Sequence, residues 1–335
     1  VWYVLREIYG DGSEWLALAN TFAFYLFAPL VLLGLLILAA RQYPLLPALG
    51  APLALVILLF GAQCLPPTVR ADPTQPTLRV MTFNVNGNRE PHELATEQIV
   101  AYAPDLVLIQ ELSPRHAADL NTRFSTHFPY QQLEPIPGRR GIGILSRYPL
   151  QARGWLKFGK DPQAAQRAQI EWQGHSLQII NVHLASTMPG ENVAASFRER
   201  EMQVQELLAL VAQEKKPTLI GGDFNLTDTS HAYSMLAREL SDAHRAAGWG
   251  LGFTFPSSPE LVRSFIAAPF AKLLQTRENN VESALASVPL PPTPLLRIDY
   301  IFSTNDLRAV NAFTAPWDGQ SDHCAVIAMF QLNGR

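Results

Sequence analysis

Residues 218–225 read Thr-Leu-Ile-Gly-Gly-Asp-Phe-Asn (TLIGGDFN). A short apolar run stops at paired glycines, then presents a carboxylate and an amide two residues apart. Apolar runs of this length bounded by glycine or polar residues read as buried strands. The glycines let the backbone turn sharply and approach a ligand closely. The arrangement recurs elsewhere. Leu106-Val-Leu-Ile109 precedes Gln110-Glu111, and Ile179-Ile180 precedes Asn181-Val-His183. The strings Thr82–Asn86 (TFNVN) and Ser321–His323 (SDH) supply further polar groups. Carboxylates, amides and imidazoles at several strand ends of one sheet can converge on a single crevice. Oxygen ligands with histidines suit a Mg²⁺-assisted attack on phosphorus.

Outward from these strings, composition divides the 335 residues unevenly. The first residue is Val1 rather than methionine, so a fragment of a longer chain is expected. Residues 22–40 carry no charge, and neither do residues 42–65. Each stretch is long enough to cross a hydrocarbon core of about 30 Å, which takes roughly 20 residues. Arg41 and a Tyr-Pro turn separate them, so a transmembrane helical hairpin is expected, with spans at about 22–40 and 45–65 and the bilayer as partner. Pro29, Pro47 and Pro52 are awkward in a soluble helix, but membrane helices tolerate proline better. A buried soluble hairpin is the competing reading, and neither segment shows the polar stripe of a soluble helix. A cleaved signal peptide fits worse, since there are two segments and no basic region at the start. By the positive-inside rule Arg41 puts the turn in the cytoplasm and everything after Leu65 outside. The expected location is therefore a bacterial cell membrane, with the catalytic domain extracytoplasmic.

Residues 66–76 (PPTVRADPTQP) read as a stiff, extended linker. The expected division is a membrane anchor over 1–65, this linker, and a catalytic domain over 77–335. Cys64 and Cys324 do not suggest a disulfide scaffold. A net charge of −3 argues against an extended nucleic-acid surface. Within the domain, strands are expected at Leu78–Val85, Leu106–Ile109, Gly141–Ser146, Thr218–Ile220, Ile298–Phe302 and Ala325–Phe330. A hairpin turning at Gly174 is expected from Gln169–Trp172 and Ser176–His183. Helices are expected at Pro91–Tyr102, Ser113–Phe124 and Ser196–Gln213. The last carries Val204, Leu207, Leu208 and Val211 on one face. Such a mixture fits an α+β sandwich of sheets with outer helices.

From Leu78 onward, eight strings occur in an order that resembles the endonuclease/exonuclease/phosphatase superfamily: TFNVN, IQEL, GIGILSRYPL, NVHL, GGDFN, FTFP, RIDYIF and SDH. That superfamily includes pancreatic-type deoxyribonuclease, abasic-site endonucleases, inositol polyphosphate 5-phosphatases and neutral sphingomyelinases. The resemblance implies a four-layer α/β/β/α sandwich of the deoxyribonuclease I type, here preceded by the transmembrane hairpin. It also implies Mg²⁺, or Mn²⁺ in its place, held by Glu111 with Asn84 and Asp322. A carboxylate at the end of an apolar strand is costly to bury unless a cation balances it; the bland reading of Glu111 is a surface residue opening a helix. Asn86 stands where some nucleases place an acidic ligand, which leaves one metal or two open. By the same resemblance Asp223 orients or deprotonates the attacking water, and Asn225 contacts a phosphate oxygen. For both, the bland reading is an Asx-turn. His183 and His323 would stabilise charge on the phosphoryl oxygens. Asp299 would accept a hydrogen bond from His323, fixing its tautomer and raising its pKa; otherwise it is a ladder carboxylate.

Other residues take a structural reading. Arg147 is expected to bond backbone carbonyls at a strand end. Thr254 and Phe255 either line the cleft or form a structural strand. Arg198 and Arg200 are expected on the solvated face of their helix. His92, His116, His127, His175, His231 and His244 are expected at the surface or in turns. Between FTFP and RIDYIF some forty residues, about 257–296, are inserted. Their apolar run Leu261–Leu274 is either a helical cap or a lid beside the cleft that touches a membrane. The leading expectation is a membrane-anchored, Mg²⁺-dependent phosphoesterase acting on a phosphomonoester or phosphodiester, lipid-linked by preference. A membrane-tethered nuclease is the alternative, and a catalytically inactive binding module the reading from another class. No protein partner is inferable.

Overall fold

The strand-forming strings are buried on both faces, and their alternate residues enter different cores. The computed structural model describes residues 1–87, 93–187, 192–264, 267, 277–285 and 294–333. One sheet contains β1 (Leu78–Asn84), β2 (Leu106–Gln110), β3 (Tyr130–Glu134), β4 (Ile142–Ser146), β11 (Leu307–Thr314) and β12 (Val326–Leu332), in the order β11-β12-β1-β2-β4-β3. The other contains β5 (Leu150–Phe158), β6 (Asp161–Trp172), β7 (His175–His183), β8 (Thr218–Asp223), β9 (Ser241–Asp242) and β10 (Asp299–Ser303), in the order β5-β6-β7-β8-β10-β9. Each has one parallel pair at its centre, β1 with β2 and β7 with β8. Val80, Leu108, Ile179, Leu219 and Ile301 meet between the sheets. Their neighbours point the other way, as successive strand residues must. Met81, Phe83 and Ile109 pack with Ile99 of α5 (Glu93–Tyr102) and with Leu120 and Phe124 of α6 (Pro114–Phe124). Ile180, Val182 and Phe302 pack with Val204 and Leu207 of α7 (Val193–Gln213) and with Leu236 of α8 (His231–Glu239). The result is the expected four-layer α/β/β/α sandwich.

Side chains punctuate these elements. Ser113, Asn192 and Ser230 cap α6, α7 and α8 by accepting from backbone N–H groups of the first turn, each cap being worth about 1 kcal/mol. Asp242 caps a short helix, α9 (Ala243–Ala247), and takes a buried ion pair from Arg297.

Before the sandwich, α1 (Trp2–Tyr9) and α2 (Glu14–Thr21) form a pair that leads into two apolar helices, whose α-helical parts are α3 (Ala28–Ala39) and α4 (Gly50–Phe60). Of these, Tyr43–Cys64 is long and apolar enough to cross a membrane, with a mean hydropathy of 2.3. The expected first span, residues 22–40, is a helix over Ala23–Ala39, bent by 79° from α2. Arg41 in left-handed conformation makes the turn between them, and Phe24 and Phe27 meet Phe60 edge to face across the hairpin. The helices also seat on the sandwich. Tyr25 Oη donates to Leu295 O at 2.7 Å, Arg6 Nε to Thr229 O at 2.8 Å, and Gly250 N to Gln63 O at 2.9 Å. Residues 66–76 contain no helix or strand, and Gln331 of β12 holds them through Asp72 and Gln75. Of the expected apolar run Leu261–Leu274, most lies outside the described residues; Val262 and Ala267 are buried.

Candidate active site

The polar residues that end the apolar strings gather at one end of both sheets. β7 stops at His183, β8 at Asp223, and β10 begins at Asp299. In the ladder Asp223 lies opposite His183 on one side and Asp299 on the other. Gly222 precedes it with φ +150°, and an added Cβ would overlap Val182 O. At Gly221 a Cβ would lie 2.7 Å from Leu108 Cδ1 of the facing sheet. Gly221 therefore lets the two sheets close together, and Gly222 lets β8 lie against β7, where the carboxylate emerges.

Asn84 joins the two halves. Its Nδ2 donates to Asp223 Oδ2 at 3.0 Å and to Glu111 Oε1 at 3.3 Å. Its Oδ1 accepts from Asn86 N at 3.0 Å. Glu111 follows β2 in left-handed conformation, φ 55°, which turns its carboxylate toward Asn84. His323 is fixed from three sides. Its Nδ1 lies 2.8 Å from Asp299 Oδ2, its backbone N–H donates to Ser321 Oγ at 3.0 Å, and Phe255 packs on the ring at 4.8 Å between centroids. Ser321 Oγ in turn donates to Asn84 O at 2.6 Å. The Nε2 atoms of His183 and His323 both lie 3.7 Å from Asp223 Oδ2. Asn225 uses one amide N–H on Leu184 O at 3.0 Å, while its backbone N–H donates to Asp223 Oδ1 at 2.9 Å. Asp322 Oδ1 and Asn86 Oδ1 are buried and find no hydrogen-bond partner among the described residues.

Burial and charge tune these groups. Burial first, then the nearby Asp299 carboxylate, push Asp223 up to about 7. Burial alone would pull His323 down, but the Asp299 and Asp223 carboxylates outweigh it and push the imidazole up to about 10. Burial lowers His183 and raises Glu111. Ligand atoms of Asp223, Asp299 and His323 lie within 4.8 Å of one another, close enough for an ion. The 2.8 Å Asp299–His323 contact is better satisfied by a shared proton. The set Asn84, Glu111 and Asp322 suits a hard cation, because it offers a desolvated carboxylate and an orphaned carboxylate oxygen.

All eight candidate residues, Asn84, Glu111, His183, Asp223, Asn225, Asp299, Asp322 and His323, thus lie at this end. Several structural readings need correction. Arg200 is 3% exposed, not on the solvated face. Its Nη1 donates to Ala185 O and Thr187 Oγ1, and its guanidinium stacks on Phe197 at 4.2 Å. His116 and His244 are buried rather than superficial, and His92 lies outside the described residues. Arg147 pairs with Asp105 at 3.4 Å rather than with carbonyls. Thr254 is structural: its Oγ1 accepts from Ile298 N and Asp299 N. Sequence reading missed Arg139, whose Nε lies 4.0 Å from Glu111 Oε2. With Arg140, Lys160 and His183 it lines a cleft of about 830 Å³.

Beneath the site runs an inter-sheet bolt. Asn181 of β7 donates to Ile109 O and Gly143 O, both at 3.0 Å, and accepts from Gln110 Nε2 at 2.6 Å. Gln110 also donates to Thr82 Oγ1 at 3.0 Å.

Comparison with known proteins bears on the fold and the family. No curated protein matches the chain in sequence. The fold resembles the endonuclease/exonuclease/phosphatase of Beutenbergia cavernae, with TM-score 0.54 and 21% identity over 77% of this chain and 72% of that one. It also resembles the Bacteroides vulgatus endonuclease/exonuclease/phosphatase, with TM-score 0.55 and 17% identity over 77% and 100%. TDP2 of D. rerio, solved with a single-strand DNA product, gives TM-score 0.53 and 17% identity over 76% and 99%. Residues 81–323, which hold every one of the eight candidate residues, match the model of the Endonuclease/Exonuclease/phosphatase family. The chain belongs to that family, whose members are typically hydrolases of phosphoester bonds.

Proposed function

We propose that the chain is a membrane-tethered, Mg²⁺-dependent phosphoesterase whose substrate is a phosphoester presented at a bilayer, with Mn²⁺ as an alternative metal. One observation carries this reading: Asp223 stands between His183 and Asp299 in the ladder and is tied through Asn84 to Glu111 of the facing sheet. Glu111, Asn84 and Asp322 would hold the metal, which supplies charge neutralisation at the phosphoryl group. Asp223, pushed up to about 7, suits a general base at neutral pH and takes a proton from the attacking water. His323, kept protonated by Asp299, donates to a phosphoryl oxygen, where charge grows in the transition state. His183 and the remaining amide N–H of Asn225 would serve the other phosphoryl oxygens.

Seating of the apolar hairpin beside the catalytic loops supports a lipid-linked substrate. Leu295 and Thr229, which bond to the N-terminal helices, lie four residues before Asp299 and six after Asp223. The tethered nuclease is the second reading, favoured by Arg139, Arg140 and Lys160 in the cleft. With Arg41 in the turn, the catalytic domain lies outside a bacterial cell membrane.

The test is hydrolysis by the full chain in lipid nanodiscs with Mg²⁺, offered sphingomyelin, a prenyl pyrophosphate, single-stranded DNA and duplex DNA. Lipid-phosphate hydrolysis that Asp223→Asn and His323→Ala both abolish is expected. Activity surviving both substitutions would overturn the mechanism. Cleavage of DNA alone would establish the nuclease, and Mg²⁺ binding without turnover of any substrate would establish a binding module.

A further inference from the structure

The first two helices and their connection turn several polar groups inward: Asn20 is fully buried, Asp11 accepts from His231 N and from Asn20 Nδ2, and Arg6 donates to Thr229 O, while the carboxylates of Glu7 and Glu14 stay exposed. Outward they present Val4, Ile8, Tyr9 and Trp15, exposed by 56, 63, 63 and 77%. A helix that faces water carries the opposite polarity, with its apolar stripe turned in.

Two further observations say what lies against this face. α2 meets the apolar helix Ala23–Ala39 at 79°, so it runs across the end of the hairpin instead of along it. Trp249 of the sandwich, 69% exposed, donates its indole N–H to the carbonyl of Cys64, where the apolar helix Tyr43–Cys64 ends. Indole and phenol rings at the ends of apolar spans sit at headgroup level. Helices with one strongly apolar face lie in the plane of that interface.

We infer that α1 and α2 lie flat in the bilayer interface, as a second membrane contact beside the hairpin, with their outward face against lipid. The inference rests on the membrane-tethered reading. No exposed cation draws the pair to anionic lipid, because Arg6, the one cation in α1 and α2, has a side chain only 12% exposed and their exposed charges are the carboxylates of Glu7 and Glu14. A span alone would leave the sandwich free to tilt. A flat pair bonded to Thr229 and His231 removes that freedom and holds the end bearing Asp223 at a fixed height over the headgroups.

The test uses the full chain with Cys64→Ser, Cys324 being buried, in phosphatidylcholine nanodiscs. A nitroxide is attached at Ile8→Cys or Trp15→Cys, at Leu58→Cys within the span, and at Asn121→Cys on α6 as the aqueous reference. Collision rates with oxygen and with a water-soluble nickel chelate are then measured. Labels at residues 8 and 15 are expected to favour oxygen over nickel, as residue 58 does, and added phosphatidylglycerol should leave the ratio unchanged. If residue 58 meets lipid while residues 8 and 15 behave like residue 121, the flat pair is overturned and the tether stands. Shielding of residues 8 and 15 from both reagents means that protein covers the face, which also overturns it. Residue 58 behaving like residue 121 overturns the tether and the inference together.

Discussion

Replacing Asn181 by leucine tests whether the bolt between the sheets supports the site above it. The side chain is fully buried and makes three hydrogen bonds, two at 3.0 Å to carbonyls of β2 and β4 and one at 2.6 Å from Gln110. Each buried bond contributes about 1 kcal/mol net, so their loss costs about 3 kcal/mol. Leucine has nearly the same volume, and its apolar burial offsets roughly 1 kcal/mol of that. Strain from carbonyls left with one lone pair facing a methyl adds back a similar amount. For a domain of this size about 3 kcal/mol lowers Tm by roughly 6–12 °C. Gln110 adjoins Glu111, and Asn181 lies two residues before His183, so loosening the bolt shifts both groups. Misplacement by about 1 Å costs on the order of 100-fold in rate, and kcat should fall by at least about 10-fold. The assay is a circular-dichroism melt of the metal-free chain in detergent, paired with turnover of bis(p-nitrophenyl) phosphate in Mg²⁺. A Tm within 2 °C of the parent (below the ~6 °C floor of the estimate) together with unchanged kcat would refute the argument.

Gly222→Ala should cost on the order of 4 kcal/mol or more, since its φ of +150° and the approach of Val182 O leave no room for a methyl; little folded protein is expected by size-exclusion chromatography. Glu111→Gln should raise the Mg²⁺ concentration for half-maximal turnover by at least about 10-fold, and EDTA should abolish turnover of the parent until Mg²⁺ or Mn²⁺ is restored. Asp299→Asn probes the raised imidazole. His323 titrates at about 10 in the folded chain against 6.5 ordinarily. Its proton therefore stabilises the fold fully below pH 6.5, and that stabilisation disappears as pH rises through about 10. The Tm advantage of the parent over Asp299→Asn should accordingly be largest in mild acid and nearly vanish by about pH 10; a gap independent of pH would contradict the pairing.

The candidate site was legible because its polar groups follow directly on apolar strands. Asp223 after Thr218–Ile220 and Glu111 after Leu106–Ile109 could be placed without knowing what they touch. Residues whose role depends on distant partners were not. Gln110 and Asn181 occur in the same strings as Glu111 and His183, yet they point into the sandwich, and only the stacking of the sheets makes them a bolt. Arg200 is different, since a signal existed. It lies four residues before Val204, so it shares the apolar face with Leu207 and Val211, and periodicity alone puts it inside. The burial of Asp11 and Asn20 has no local signal, because their partners Thr229 and His231 lie more than 200 residues later.

The ladder of β1 has a bearing on how the chain is made. Its one neighbour, β2, follows within a few tens of residues, but the other is β12, with Val80 opposite Ala328. At about 5–20 residues per second, ribosomes take roughly 12–50 s to synthesise the intervening chain. Through that interval one edge of an apolar strand stands unpaired, and such edges recruit other chains. His323 emerges just ahead of β12, so the last of the candidate site residues and the strand that seals the sheet arrive together. A nascent chain stalled before them is aggregation-prone and, on the proposed mechanism, inactive, and chaperone cover during biogenesis matters most in that window.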